Sequence, residues 1–192
     1  IDGRSQSNYT VDANRKTWLG TPYRFNEIMG GTAKNALRKA VLGVGLRLTD
    51  FHVSYCPDAV FAGDSFKDAS GRKVIELEWN GGSCRNLGET EQIPFDPHGH
   101  FDAFQNQGGE VWAVRGVEFD LFMSPARWVS SILQVEAQYA ATGRGNFSNN
   151  IVDGGVIGLR IGGNPKGIAP ASVMVKGNTF RRFYSQPYLF LD

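Results

Sequence analysis

Three observations predict an all-β chain that folds as a stack of coils. The first is a series of short runs rich in β-branched and aromatic residues, each bounded by Gly, Asn or Asp. The second is glycine used as punctuation. The 24 glycines outnumber the 8 prolines and are spread as GG, NGG and DGG instead of being pooled in a linker. The third is a polar frame that recurs along the chain at intervals of roughly 28 to 37 residues.

In chain order, residues 1–45 read as an N-terminal irregular or capping segment. Within it, Ala33, Ala36, Leu37, Ala40 and Val41 follow helical spacing, with Lys34, Arg38 and Lys39 on the other face. Thr32 stands where an N-cap belongs, so 32–41 is predicted to be a short capping helix. From residue 46 onward the pattern is strands. Leu46 and Leu48, then Phe51, Val53 and Tyr55, read as one strand with a slip between its halves. Ile75, Leu77 and Trp79 alternate in a second, and Val111 to Phe119 is a third. Residues 128–140 fit either period, with strand preferred; 159–161 and 173–175 are two further strands.

The stretch FSNNIVDGGVIGLRI (147–161) resembles VKGNTFRRFYSQPYLFL (175–191), matching Asn150 with Asn178. In the same frame VRGVEFDLF puts Val117 at the Asn position, LEWNGGSC puts Asn80 there and LTDFHVSYC puts Asp50 there. Such coils are those of a parallel β-helix. Each places short parallel strands in its walls and cannot bury its own apolar face, whereas stacking buries a continuous core. The coil itself supplies the crossover that parallel strands require. A recurring Asn at one turn can form a ladder of side-chain amides that satisfies buried turn groups. Asn80, Asn150 and Asn178 are therefore read as structural. Cys56 and Cys84 fall at similar places in neighbouring coils and are expected to stack in register. Both a disulfide and two buried thiols are open, and one bridge is not needed to hold such a stack. The apolar run Tyr188–Leu191 lacks a polar cap, so the chain is expected to be a fragment, or to have that end covered by other domains or copies.

Composition narrows the function classes. Hydrophobic residues are 41% and charged residues 20%, the balance of a folded domain. The net charge is +1, with signs interspersed, which argues against a nucleic-acid partner. No apolar run approaches the roughly 20 residues of a membrane-spanning helix. Two cysteines without a CxxC pair, and only His52, His98 and His100, make a structural zinc site unexpected, and no metal ligands are assigned.

At HGHFDAFQNQGG (98–109) the sequence resembles the pectate-lyase-like right-handed parallel β-helix repeat proteins, which are secreted or phage-borne. The matching residues are His100, Asp102 and Gln105, then Asn149-Asn150-Ile151 and Gly177-Asn178-Thr179-Phe180. Asp58-Ala59-Val60-Phe61 looks like the corresponding strand of an earlier coil. The resemblance covers about residues 46–192. It implies a right-handed parallel β-helix over those residues and an extracellular place, secreted or on a virion surface. It also implies polysaccharide chemistry, by a lyase, an epimerase, a glycoside hydrolase or a tailspike that docks on surface sugars. The residues assign no cofactor; the resemblance alone would allow calcium, and no convincing several-aspartate cluster of a calcium-assisted lyase is seen. A homotrimer or neighbouring domains would cover the open ends.

The densest polar group gives the candidate catalytic residues His100 and Asp102, which strand alternation puts on one face. An Asp beside a His orients the ring for acid or base work. The competing reading is a turn network that pins the 85–99 loop. Arg115 joins them as a group able to stabilise developing charge, with a solvated strand face as its plain alternative. Gln105, Trp128 and Arg160 are the candidate substrate-binding residues: an amide, an aromatic platform after a loop, and a guanidinium for sugar carboxylates. Asp102 with Glu118 or Asp120 would be the carboxylate pair of a glycosidase. Trp79 and Trp112 lie in regular strands and are open between sugar-stacking platforms and core, with core the default. Recognition without cleavage, depolymerisation, and a purely structural solenoid remain the three readings.

Overall fold

The computed structural model describes residues 11–12, 26–36, 39–42, 46–62, 66–67, 73–74, 76–88, 101–106, 111–124, 131–136, 144–162 and 172–191. Among these every regular element is a β-strand. In chain order the first are β1 (Val11–Asp12), β2 (Asn26–Lys34), β3 (Lys39–Leu42), β4 (Leu46–Cys56), β5 (Asp58–Ala62) and β6 (Phe66–Lys67). Then come β7 (Lys73–Val74), β8 (Glu76–Leu87), β9 (Asp102–Asn106), β10 (Val111–Arg115), β11 (Glu118–Asp120) and β12 (Ser131–Glu136). The last are β13 (Arg144–Ser148), β14 (Ile151–Asp153), β15 (Ile157–Gly162), β16 (Ser172–Lys176), β17 (Thr179–Arg181) and β18 (Gln186–Leu191).

Two sheets hold nearly all of them. A seven-stranded sheet runs β1-β3-β5-β9-β12-β15-β18. A nine-stranded sheet runs β16-β13-β10-β8-β11-β14-β17, with β4 pairing both β8 and β2. Pairing in both is parallel, and the short β6–β7 ladder is antiparallel. From β2 onward the chain alternates between the two large sheets, so each crossover passes through a strand of the other sheet.

The larger sheet bends where the backbone becomes left-handed. Gly30 (φ 63°), Asp50 (φ 50°), Gly81 (φ 71°), Gly116 (φ 64°), Asn149 (φ 57°) and Gly177 (φ 67°) all take this conformation. The parallel register sets them level with one another. Gly, Asn and Asp are the residues that enter this region at least cost. Asp50 is thus the slip between the halves of β4. A second column of left-handed residues follows the same strands at Asn35, Tyr55, Asn86, Gly154 and Arg182.

The core lies between the sheets. Leu48, Trp79, Val114 and Phe147 form one level row of side chains with no exposure, and Val53, Cys84, Phe119 and Val152 form another with at most 1%. Each such side chain contributes about 1.5–3 kcal/mol by leaving water. Trp79 meets Phe119 edge-on at 5.6 Å, and Phe104 of the smaller sheet meets Trp112 of the larger at 5.7 Å. Gly145 is level with Trp112, and a Cβ there would run into the indole ring. Trp79 and Trp112 are core, which settles the open choice between sugar platform and interior. Cys56 and Cys84 are buried free thiols. They are not in register, since Cys56 is level with Leu87 and Cys84 with Val53. Burial raises both thiol pKa values, which keeps them protonated.

The predicted capping helix at 32–41 is not formed. Thr32, Ala33 and Lys34 belong to β2 and lie level with His52, Val53 and Ser54, while Lys39–Leu42 pairs as β3 with β5. The spacing of Ala33, Ala36 and Ala40 mimics a helix because two strands on either side of left-handed Asn35 each bury small residues. Pairing with β4 and β5 satisfies their backbone groups as a helix would. Parallel pairing therefore begins upstream of residue 46. Residues 131–136 form a strand, as preferred from sequence.

The Asn ladder has two rungs. Asn150 accepts from Val117 N–H (2.9 Å) and donates to Val114 O (3.0 Å) and Asn178 Oδ1 (2.9 Å). Asn178 in turn donates to Phe147 O at 2.8 Å. Val117 holds the equivalent position, as the frame predicts. Asn80 and Asp50 do not: Gly82 and Phe51 stand level with Val117, so those two frames are displaced by two residues and one residue. On the last strands Val175 is 39% exposed although it is level with fully buried Phe147, and Met174 is 50% exposed. Asn150→Ala is expected to cost about 1–3 kcal/mol, because it leaves Val117 N–H and Val114 O buried without their partner. A lowered urea midpoint checks this, with a smaller drop for the less buried Asn178→Ala.

Candidate functional site

Of the residues singled out from sequence, His98, His100 and Trp128 lie outside the described residues. Asp102 sits on β9 and is fully buried. Its backbone N–H donates to Asp58 Oδ1 at 3.0 Å, tying β9 to β5. By alternation it shares a side with Phe104, a core residue. Gln105, 6% exposed, and half-buried Arg160 lie in one row of the smaller sheet, both level with Gln134. Arg115 belongs to the larger sheet, level with Asn80 and Ser148. The structure therefore brings Gln105 and Arg160 into one row, but it separates Asp102 from Arg115 and Arg115 from Arg160. Glu118 and Asp120, on β11, are likewise on the sheet opposite Asp102.

Other residues assemble a site around Arg115. On the outward side of β4, β8 and β10 the parallel register lines up Arg47 with Glu78, and Thr49 with Asn80 and Arg115. Arg47 Nε donates to Glu78 Oε2 at 2.8 Å, and Asn80 Nδ2 donates to the same oxygen at 3.3 Å. Arg115 donates to Asn80 Oδ1 at 3.1 Å and stands 3.5 Å from Glu78 Oε1. Thr49 continues the row by donating to Glu27 at 3.2 Å. One carboxylate is thus clamped between two guanidiniums and an amide. Burial pushes the Glu78 carboxyl up, but the hydrogen bonds from Arg47 and Asn80 and the two arginine charges outweigh it, so its pKa lies below the ordinary value. Arg47 and Arg115 keep 36% and 40% of their side chains in solvent.

Beyond the left-handed corner the same strands present a second polar group. His52 Nδ1 lies 2.9 Å from Ser83 Oγ, and His52 Nε2 lies 3.4 Å from Asp50 Oδ1. Arg85 donates to Glu118 at 3.2 Å one strand further on. Further along, Arg182 holds the Asp153 carboxylate through two nitrogens and lies 3.9 Å above the Phe122 ring. That pairing with Asp153 raises the Arg182 pKa further. Sequence reasoning missed Arg47, Glu78, His52 and Ser83, and took Asn80 for a ladder residue. The available signal was their position on adjacent strands, Arg47 and Glu78 three residues before the corner and His52 and Ser83 two after it, readable only once the register is known. Among the described residues no three His, Cys, Asp or Glu side chains are placed to hold a metal ion.

No family model, curated protein or solved structure matches this chain.

Because the folded state depresses the Glu78 pKa, it gains stability from the ionised carboxylate above the unfolded-state value. That gain disappears as pH falls through the lower folded value. At neutral pH Glu78→Gln is expected to cost about 0.5–1 kcal/mol, the range of a partly exposed pair. The difference between wild type and variant in urea melts should shrink on acidification; a constant difference would disprove the ionic clamp.

Proposed function

We propose that the chain is a run of coils of a right-handed parallel β-helix, and that the outward face of its larger sheet binds a polysaccharide at an extracellular surface. The coil reading is supported by the parallel register, by the alternation between sheets and by the two columns of left-handed corners. The observation that carries the binding reading is the row Arg47, Glu78, Asn80 and Arg115. Carboxylate, amide and guanidinium are planar groups that form paired hydrogen bonds, suited to neighbouring sugar hydroxyls and to sugar carboxylates. Strands spaced about 4.8 Å apart repeat these groups at close to the length of one sugar ring, so successive strands can address successive sugars. Cleavage by His100, Asp102 and Arg115 is not part of this reading, because Asp102 is buried on the other sheet.

A second reading, a solenoid that only spaces other domains, is favoured by one feature: the clamp residues already satisfy one another. Titration against a panel of acidic and neutral polysaccharides separates the two, with assays for new unsaturated ends and for reducing ends run alongside. Binding is expected without either product, and Arg115→Ala should weaken it about tenfold, the equivalent of 1.4 kcal/mol. Absence of binding across the panel, or an affinity indifferent to Arg115→Ala and Arg47→Ala, would favour the spacer.

A further inference from the structure

We propose that Asp50, His52 and Ser83 form a hydrolytic triad on the outward face of β4 and β8. It would cleave an acyl ester, such as an O-acetyl group, from a polysaccharide lying along the same face. The choice of substrate rests on the binding reading above; the triad itself rests on geometry. A serine nucleophile needs a base within hydrogen-bond reach, and that base needs a third group to orient it. Ser83 Oγ is 2.9 Å from one ring nitrogen of His52, and Asp50 Oδ1 is 3.4 Å from the other. With Asp50 facing Nε2–H, the Nδ1 lone pair is directed at the Ser83 hydroxyl.

The fold sets this arrangement. Asp50 occupies the left-handed corner of β4, and Gly81 occupies the same corner of β8. Gly82 follows at φ 95°, and a Cβ there would collide with the Phe51 backbone. This close approach sets Ser83 level with His52 on the neighbouring strand. The His52 and Asp50 side chains are 47% and 75% exposed, so a polymer can reach them without a lid. The charged neighbours are Glu118, level with Ser83 on the far side, and Arg85, which pairs with it.

In the reaction Ser83 Oγ bonds to the ester carbonyl carbon, and the Ser83 proton passes to His52 Nδ1. The carbonyl π electrons move onto oxygen. They return to expel the sugar alkoxide, which takes the proton from His52 and leaves as a hydroxyl. Water then attacks the acyl-serine, giving its proton to His52. The C–O bond to Ser83 breaks, Ser83 recovers a proton from His52, and the carboxylic acid departs.

The test labels the intact chain with a fluorophosphonate, maps the modified residue by peptide mass spectrometry, and follows p-nitrophenyl acetate hydrolysis. Acetate release from O-acetylated polysaccharide is measured in parallel. Expected are labelling at Ser83, at least tenfold slower labelling in His52→Gln, several-fold slower in Asp50→Asn, and loss of both hydrolyses in Ser83→Ala. None of these side chains belongs to the buried core, so the variants should fold. No labelling of Ser83 above other serines overturns the triad. Ester hydrolysis that survives Ser83→Ala but is lost in His52→Gln also overturns it, since a lone imidazole then does the work. Labelling at Ser83 without acetate release overturns the polysaccharide substrate and leaves the triad standing.

Discussion

The left-handed corner repeated on every strand of the larger sheet is the constraint on which the rest of this structure depends. Each corner reverses the side-chain alternation once, so apolar residues can face inward on both halves of a bent strand. Leu46 and Leu48 do so before Asp50, and Phe51 and Val53 do so after it. Without the corner, one half would turn its apolar residues to water, because alternation has a period of two. The residue types at the corner, four glycines with Asp50 and Asn149, follow from the backbone conformation they must hold.

Once the corners are level, the packing follows. Rows of inward side chains stack strand upon strand, and their rings meet at the 5.6–6.2 Å separations seen between Trp79, Phe119 and Phe147. Small and large residues must then trade places down a row. Gly145 is bare because Trp112 fills its space, and Gly82 is bare because the Phe51 backbone does. The ladder of Asn150 and Asn178 serves the backbone just after the corner, where N–H and C=O groups turn away from the sheet.

The outward face uses the same register for a different purpose. Side chains one strand apart and on the same side are forced into contact, so residues distant in sequence become partners. Arg47 and Glu78 are separated by 31 positions, and Asn80 and Arg115 by 35. The proposed polysaccharide face and the proposed triad both exist because of this stacking, on either side of one corner. A slip of β4 by one residue against β8 would turn Arg47 and His52 inward, away from Glu78 and Ser83, and bring Leu48 and Val53 out.

By itself the sequence determined the β character of the chain after residue 46, the places of several strands, and the match of Asn150 with Asn178, though it ran β10 and β11 together as Val111–Phe119. These are local properties: alternation, β-branched content, and a turn motif repeated with little change between two neighbouring strands. It misread 32–41 as a helix, because Ala33 on β2, Ala36 just after it and Ala40 on β3 imitate a period of 3.6 until their partners are present. It also centred the functional group on 98–105, where polar residues are dense in sequence. Tertiary structure alone decided that Asp102 is interior, that Arg115 is on the other sheet, and that Arg47, Glu78, Asn80, His52 and Ser83 share a face. The physical reason is the register. Connections of unequal length between parallel strands place contacts at intervals that no single period encodes, and only the corner backbone and the packing beneath it fix which residue stands beside which.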